Sequence, residues 1–213
     1  DEHIRNAAKR LSELDEKYGV IRNNNVSFKA FYSDDTTVAQ VRWNVSPNTL
    51  TANYDFEANT KYYGQSVSDY EKIVKREVAN GFAVKCSAEN YKYYAITHEY
   101  GHLIEDTVVT SSFNEADMLA KIQARKMSYN SLGLSWTPQQ ERNARVAYVQ
   151  DLIMRREKEI RQELISLAKQ IDPKITIKNG MSTYGQSDNA EFFAEAFTNA
   201  HCGDINAFGM AML

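Results

Sequence analysis

Residues 94–103 read Tyr-Ala-Ile-Thr-His98-Glu99-Tyr-Gly-His102-Leu. Two histidines four apart lie on one face of an α-helix, so both imidazoles can hold a single metal ion. Glu99 is turned about 100° from His98 around such a helix. That takes it off the ligand face but leaves it within reach of a water activated by the ion. A carboxylate there can take a proton from that water and return it to a leaving amine. The chain has four histidines, and two of them stand in this motif. The flanks Tyr91, Tyr94, Ala95, Ile96 and Leu103 are apolar or aromatic, which predicts a buried helix, where unpartnered polar groups are costly. A histidine pair and a glutamate can also meet by accident. The scarcity of histidine and the apolar flanks favour the metal reading.

A hydrolytic site built on two histidines needs a third protein ligand and one open position. After His102 the chain continues Leu103-Ile-Glu-Asp-Thr-Val108, with neither the glycine nor the histidine of an H-E-x-x-H-x-x-G-x-x-H pattern. Glu105 follows His102 too closely for more than a tight chelate. Glu105 and Asp106 read as outer partners of a ligand or as solvated acids. The better candidate stands far along the chain, in Asp188-Asn-Ala-Glu191-Phe-Phe-Ala-Glu195-Ala-Phe197. At helical spacing Phe193, Phe197 and Ala200 share one side, and Glu191, Glu195 and Thr198 form a separate stripe. Asp188-x-x-Glu191 is also a capping pair, and Glu195 reads equally as a solvated acid. Spacing alone leaves ligand and bland role evenly open.

His98-Glu-x-x-His102, followed by Ser182-Thr-Tyr184 and then by Glu191-Phe-Phe-Ala-Glu-Ala-Phe197, resembles the catalytic domain of the anthrax lethal factor family. It is also similar to the clostridial Pro-Pro endopeptidases of that superfamily. The resemblance covers residues 91–110 and 181–200 and is weak elsewhere. It implies a zincin-like zinc metalloendopeptidase acting on a peptide or protein. His98, His102 and Glu191 would hold Zn²⁺, and Glu99 would be the base. Tyr184, seven residues before Glu191, would assist catalysis by donating to the oxyanion, and Glu195 would orient a ligand histidine. Similar blocks occur in peptidase domains joined to phage head proteins, which implies a piece of a longer polypeptide, secreted or virion-borne. A reading from another class is a non-catalytic binding or structural domain of a phage or toxin protein with a vestigial zinc site. A fourth ligand from His201 or Cys202 would favour that reading, because structural zinc sites close with four protein ligands.

Composition sets the frame. The chain has 213 residues, 43% hydrophobic and 25% charged, with a net charge of −3. That is enough for one good core, and a single domain is expected, with a sheet lobe over 1–109 and a helical lobe over 110–213. The basic surplus of a nucleic-acid binder is missing. No apolar run approaches the ~18 residues of a membrane span. The polar start, Asp1 to Arg10, lacks an initiator Met and a signal peptide, and reads as a processed product or an excised domain. Cys86 and Cys202 read as reduced core residues, with pairing left open. His3 reads as a surface residue, His201-Cys202 as cap or core, and Arg155–Arg161 as a solvated face of alternating charge.

The remaining patterning gives α+β. Ile4, Ala7, Ala8, Leu11 and Leu14 predict a helix over 4–18, stopped by Gly19. Residues 26–32, 38–45 and 50–56 alternate like strands, with Asp34-Asp35 and Pro47-Asn48 as turn signals. These predict a small, mostly antiparallel sheet over 26–57, packed on the His98–His102 helix. Residues 38–45 would be the strand beside the cleft, open to strand addition by a substrate. Ser68-x-x-Glu71 predicts a helix start, and Asn80-Gly81 its end. Further helices are expected over 91–109, 114–129 and 188–200. Thr137-Pro138-x-Gln140 should open a long one, ended near Gln170 by Asp172-Pro173.

Overall fold

The computed structural model describes residues 2–45 and 52–213. They form a mostly helical α+β fold around one small sheet. In chain order come α1 (Glu2–Tyr18), the single turn α2 (Val20–Asn23), β1 (Asn25–Phe31), β2 (Ala39–Val45) and β3 (Ala52–Asn59). The short α3 (Thr60–Tyr63), α4 (Val67–Ala79), α5 (Tyr94–Ser111), α6 (Glu115–Ser131) and α7 (Pro138–Ile171) follow. The chain closes with α8 (Ile177–Gly180), α9 (Asn189–Cys202) and α10 (Ala207–Ala211).

Local chemistry explains most boundaries. Gly19 takes φ 70°, a left-handed conformation that suits glycine, and ends α1. Thr137 and Gln140 form a reciprocal capping box with Pro138 in the first turn of α7. The start of α4 lies two residues earlier than expected. Ser66 holds an extended backbone and its side chain accepts the Asp69 amide at 3.2 Å, so Ser66, not Ser68, is the cap. The short helices α8 and α10 carry too little periodic pattern to be read in advance.

The sheet order is β1-β3-β2. β2 pairs antiparallel with β3, but β1 pairs parallel with it, so the expectation of a mostly antiparallel sheet is corrected. Burial explains the insertion of β3 between the other two. β3 buries Tyr54, Phe56 and Asn59, whereas no residue of β1 is buried and it suits an edge. The strand expected over 50–56 begins within this run; Leu50, Thr51 and the turn signal Pro47-Asn48 lie outside the described residues. One face of the sheet carries cross-strand ion pairs, Lys29–Asp55 at 2.7 Å and Arg42–Glu57 at 2.9 Å.

The central core joins α1, the sheet, α5 and α9 through Leu14, Tyr54, Tyr100, Leu103 and Phe197. A second cluster, with Leu164, Ala168, Phe192, Ala196 and Phe208, ties α7 and α10 to α9. α5 and α9 approach closely at Gly101, between the two motif histidines. A Cβ there would stand 3.0 Å from Ala194 Cα and 3.2 Å from Phe197 Cβ. Glycine therefore lets α9 lie directly against the histidine-bearing helix.

Two surface expectations are corrected. His3 is buried against the rings of Tyr63 and Tyr70, with centroids 4.5 and 4.6 Å away, and that burial lowers its pKa. Ile4, one step of ~100° further around α1, is 57% exposed instead. Along 155–161, Arg155, Lys158 and Glu159 are exposed as expected. Arg161 is not simply solvated: its guanidinium lies 4.7 Å over the Phe192 ring and donates to the Asp188 carbonyl and Asn189 Oδ1, each at 3.2 Å. Cys86 and Cys202 are both buried in one cluster and unbridged. No helix among the described residues is long and apolar enough to cross a membrane.

Candidate metal centre

α5 presents His98 and His102 on one face, and α9 brings Glu191 across from them. His98 Nε2 stands 3.1 Å from His102 Nε2 and 2.9 Å from Glu191 Oε2, and His102 Nε2 is 3.5 Å from the same oxygen. These three residues are a group able to hold a metal ion. Burial alone would depress the His98 pKa, but hydrogen bonds to Glu191 and Glu195 outweigh it and hold it well above the usual value. Burial would likewise raise Glu191, yet its bonds to His102 and His98 pull it well below the carboxylate range. Both shifts have one cause: the Glu191 carboxylate favours positive charge on the histidines it faces.

The cap-or-ligand alternative at Glu191 separates cleanly by atom. The helix is capped by Asp188, whose Oδ1 accepts the Glu191 amide at 2.8 Å. The Glu191 carboxylate is left to face the histidines. Its other oxygen, Oε1, accepts the Tyr184 hydroxyl at 2.8 Å. The Tyr184 ring stacks between His98 and Phe82, at 5.6 and 5.2 Å. Burial, and then the Glu191 charge, raise the Tyr184 pKa, so the phenol stays protonated. Backbone bonds hold its turn in place: Thr183 N–H to Gly81 O at 2.9 Å and Tyr184 N–H to Phe82 O at 3.1 Å.

Glu195 is fully buried one turn further along α9. Its Oε1 lies 3.0 Å from His98 Nδ1 and accepts the Tyr94 hydroxyl at 2.6 Å. Its Oε2 accepts the Val84 amide at 2.8 Å and a short bond from the Ser182 hydroxyl. This arrangement fixes the ring of His98 with Nε2 toward His102 and Glu191. Tyr94, Ser182 and the Val84 amide are the functional neighbours that sequence reasoning missed. Tyr94 and Ser182 stood inside the quoted motifs, but nothing in their spacing marked them as donors to Glu195. Thr198, the third member of the glutamate stripe, turns away and donates to the Ala194 carbonyl.

Glu99 is not part of the three-residue group. It is nearly buried at the wall of a cleft of about 420 Å³, which His98 and Tyr184 also line. Val38, Ala39 at the start of β2, and Ile73, Val74 and Glu77 of α4 line it as well. Burial raises the Glu99 pKa, and the fields of His102 and His98 and the Val41 amide of β2 act against it.

The remaining expectations fall away from this centre. His201 lies ten residues beyond Glu191 on the same helix, about 15 Å along its axis at 1.5 Å per residue. Its Nε2 is 2.7 Å from the Tyr18 hydroxyl and its carbonyl accepts Arg10 at 2.6 Å. Cys202 packs beside Cys86. Glu105 is a correction. It is neither solvated nor bonded to the candidate ligands: it is 2% exposed, and its Oε1 has no hydrogen-bond partner among the described residues. Burial, with the fields of Glu157 and Asp106 added, pushes its pKa up to about 9.

No family model, curated protein or solved structure matches this chain.

Proposed function

We propose that the chain is a zinc-dependent endopeptidase of zincin type, akin to the lethal factor family. The observation that carries the reading is the triangle of His98 Nε2, His102 Nε2 and Glu191 Oε2, with edges of 2.9, 3.1 and 3.5 Å, beside a cleft walled by Glu99. Ligands bound to zinc at ~2.0–2.1 Å in a tetrahedron stand about 3.3–3.4 Å apart, which these edges bracket. Two imidazoles and one carboxylate are a donor set of catalytic zinc sites, which keep a fourth position open. Among the described residues no fourth protein ligand joins the group, which favours this reading over a closed structural site. When bound, zinc supplies a Lewis acid that polarises a scissile carbonyl and acidifies the attacking water.

The chain's own residues do the rest. Glu99 takes the proton of the attacking water and delivers it to the leaving amine. Its burial raises the carboxylate's basicity toward the value that suits proton transfer near neutrality. Tyr184 holds Glu191 in the resting site, and its hydroxyl would turn from Glu191 to the oxyanion as the tetrahedral intermediate forms. Glu195 keeps His98 in the ligand tautomer. The substrate would lie in the cleft along β2.

The test pairs digestion of a diverse peptide library with zinc analysis of wild type and Glu99→Gln. Wild type should hold one zinc and cleave. The variant should keep its zinc and lose at least the ~10²–10⁴-fold of a general base. A zinc-loaded wild type that cleaves nothing returns the chain to the non-catalytic reading. A variant that cleaves normally places the base elsewhere.

A further inference from the structure

The helical hairpin α6–α7 ends in a tip that none of the described residues covers. Its arms pack through Met118, Ile122, Ala144 and Tyr148. Between Ile122 and Ala144 no residue is buried, and every residue from 123 to 135 is exposed. The apolar side chains there are not scattered. Met127 is 64% exposed, Leu132 72% and Leu134 51%.

The turn at the tip has a defined hydrogen-bonded geometry. Gly133 takes φ 73°, its amide bonds Asn130 O at 3.0 Å, and the Leu134 amide bonds Tyr129 O at 3.1 Å. This Schellman geometry fixes the leucines on either side of the glycine. Just behind them Tyr129 and Trp136 meet edge to face at 5.3 Å. Behind these stands positive charge. Residues 119–146 hold Lys121, Arg125, Lys126, Arg142 and Arg145 against the single acid Glu141, in a chain that is acidic as a whole. Lys121 is paired with Asp117 and Arg145 with Glu141. Arg125, Lys126 and Arg142 make no ion pair among the described residues. Lys126, Arg142 and Arg145, with Glu141, line one cleft at the neck, where the buried Trp136 Nε1–H has no acceptor among the described residues.

We propose that this tip docks on an anionic lipid surface. Leucines at the end, an aromatic pair behind them and cations behind those match the order of a bilayer boundary: acyl chains, interface, phosphate. A second copy fits less well, because two such tips repel each other. A nucleic acid would use the cations but leave the leucines in water. The proposal is independent of the metal centre.

The experiment is co-sedimentation of the whole chain with phosphatidylcholine vesicles, with and without phosphatidylserine. Binding should need the anionic lipid and weaken with salt. Leu132→Ser with Leu134→Ser should lower affinity at least about tenfold, because both side chains leave lipid contact. Lys126→Glu with Arg142→Glu should do the same through charge. All four positions are exposed, so circular dichroism should be unchanged. In a Trp43→Phe background, brominated lipid should quench Trp136. Equal binding to neutral vesicles, no binding, or binding untouched by both double variants would overturn the proposal. So would retention on DNA, or self-association abolished by the leucine pair, without vesicle binding.

Discussion

Glu191 and Glu195 sit one turn apart on α9 and touch the same histidine on different nitrogens, Glu191 at Nε2 and Glu195 at Nδ1. That difference underlies the roles proposed for them and is open to measurement. Glu191→Ala should lose zinc to a mild chelator. Glu195→Gln keeps volume and part of the acceptor set, and should weaken zinc binding by the ~10–100-fold of an orienting partner. Graded chelation, with circular dichroism as the folding control, ranks them, and the opposite ranking would exchange the two roles. Tyr184 is the residue whose reading the structure changes. The resemblance implies that its hydroxyl acts mainly on the transition state, with zinc binding nearly independent of it. With the hydroxyl donated to Glu191 Oε1 at 2.8 Å, Tyr184→Phe should lower zinc affinity modestly as well as turnover, the latter by about 10²-fold. Turnover lowered with zinc affinity untouched would confine Tyr184 to the substrate side. Wild-type turnover would leave it a packing residue.

At the level of elements, the site is one helix contact. α5 supplies His98, Glu99 and His102, α9 supplies Glu191 and Glu195, and Gly101 lets the two helices close on each other. The obstacle to a side chain at 101 is the Ala194 backbone at 3.0 Å, which cannot swing aside. Gly101→Ala should therefore part the helices, at a cost of roughly 1–3 kcal/mol for overpacking, and move Glu191 off the histidines. A lower melting temperature together with weaker zinc binding is the expected pair of changes. A variant equal to wild type in both would mean that the contact gives way freely. The same scale accounts for the cleft, since β2 is an edge of the sheet and its Val41 amide acts on Glu99.

Over the whole molecule, several acids gather near the candidate metal centre, and their cost appears at Glu105. Burial, then Glu157, Asp106, Asp188 and Glu191, raise this carboxyl from 4.5 to about 9. Between those values the folded chain keeps the proton and the unfolded chain releases it. This contribution to stability is complete below about 4.5 and is lost as pH rises toward 9, with a slope of at most ~1.4 kcal/mol per pH unit for one proton. Glu105→Gln, neutral throughout, should match wild type near pH 5 and exceed it near pH 8. Denaturant unfolding across that range checks it. Equal slopes for the two proteins would show that Glu105 does not titrate in this window.

The sequence by itself determined what short-range rules govern. The i, i+4 spacing put His98 and His102 on one face. Gly19 stopped α1, and Thr137-Pro138-x-Gln140 began α7 where its cap does. Each depends on atoms within a turn or two of chain. The carboxylates at 191 and 195 were visible, but a cap, a ligand and a solvated acid share one spacing there. Only the crossing of α9 over α5 at Gly101 brought both carboxylates to the histidines. The same holds for the insertion of β3 between β1 and β2, the burial of His3 and Glu105, and the donors Tyr94, Val84 and Ser182 that converge on Glu195. These depend on which surfaces exclude water together, which packing between distant segments settles.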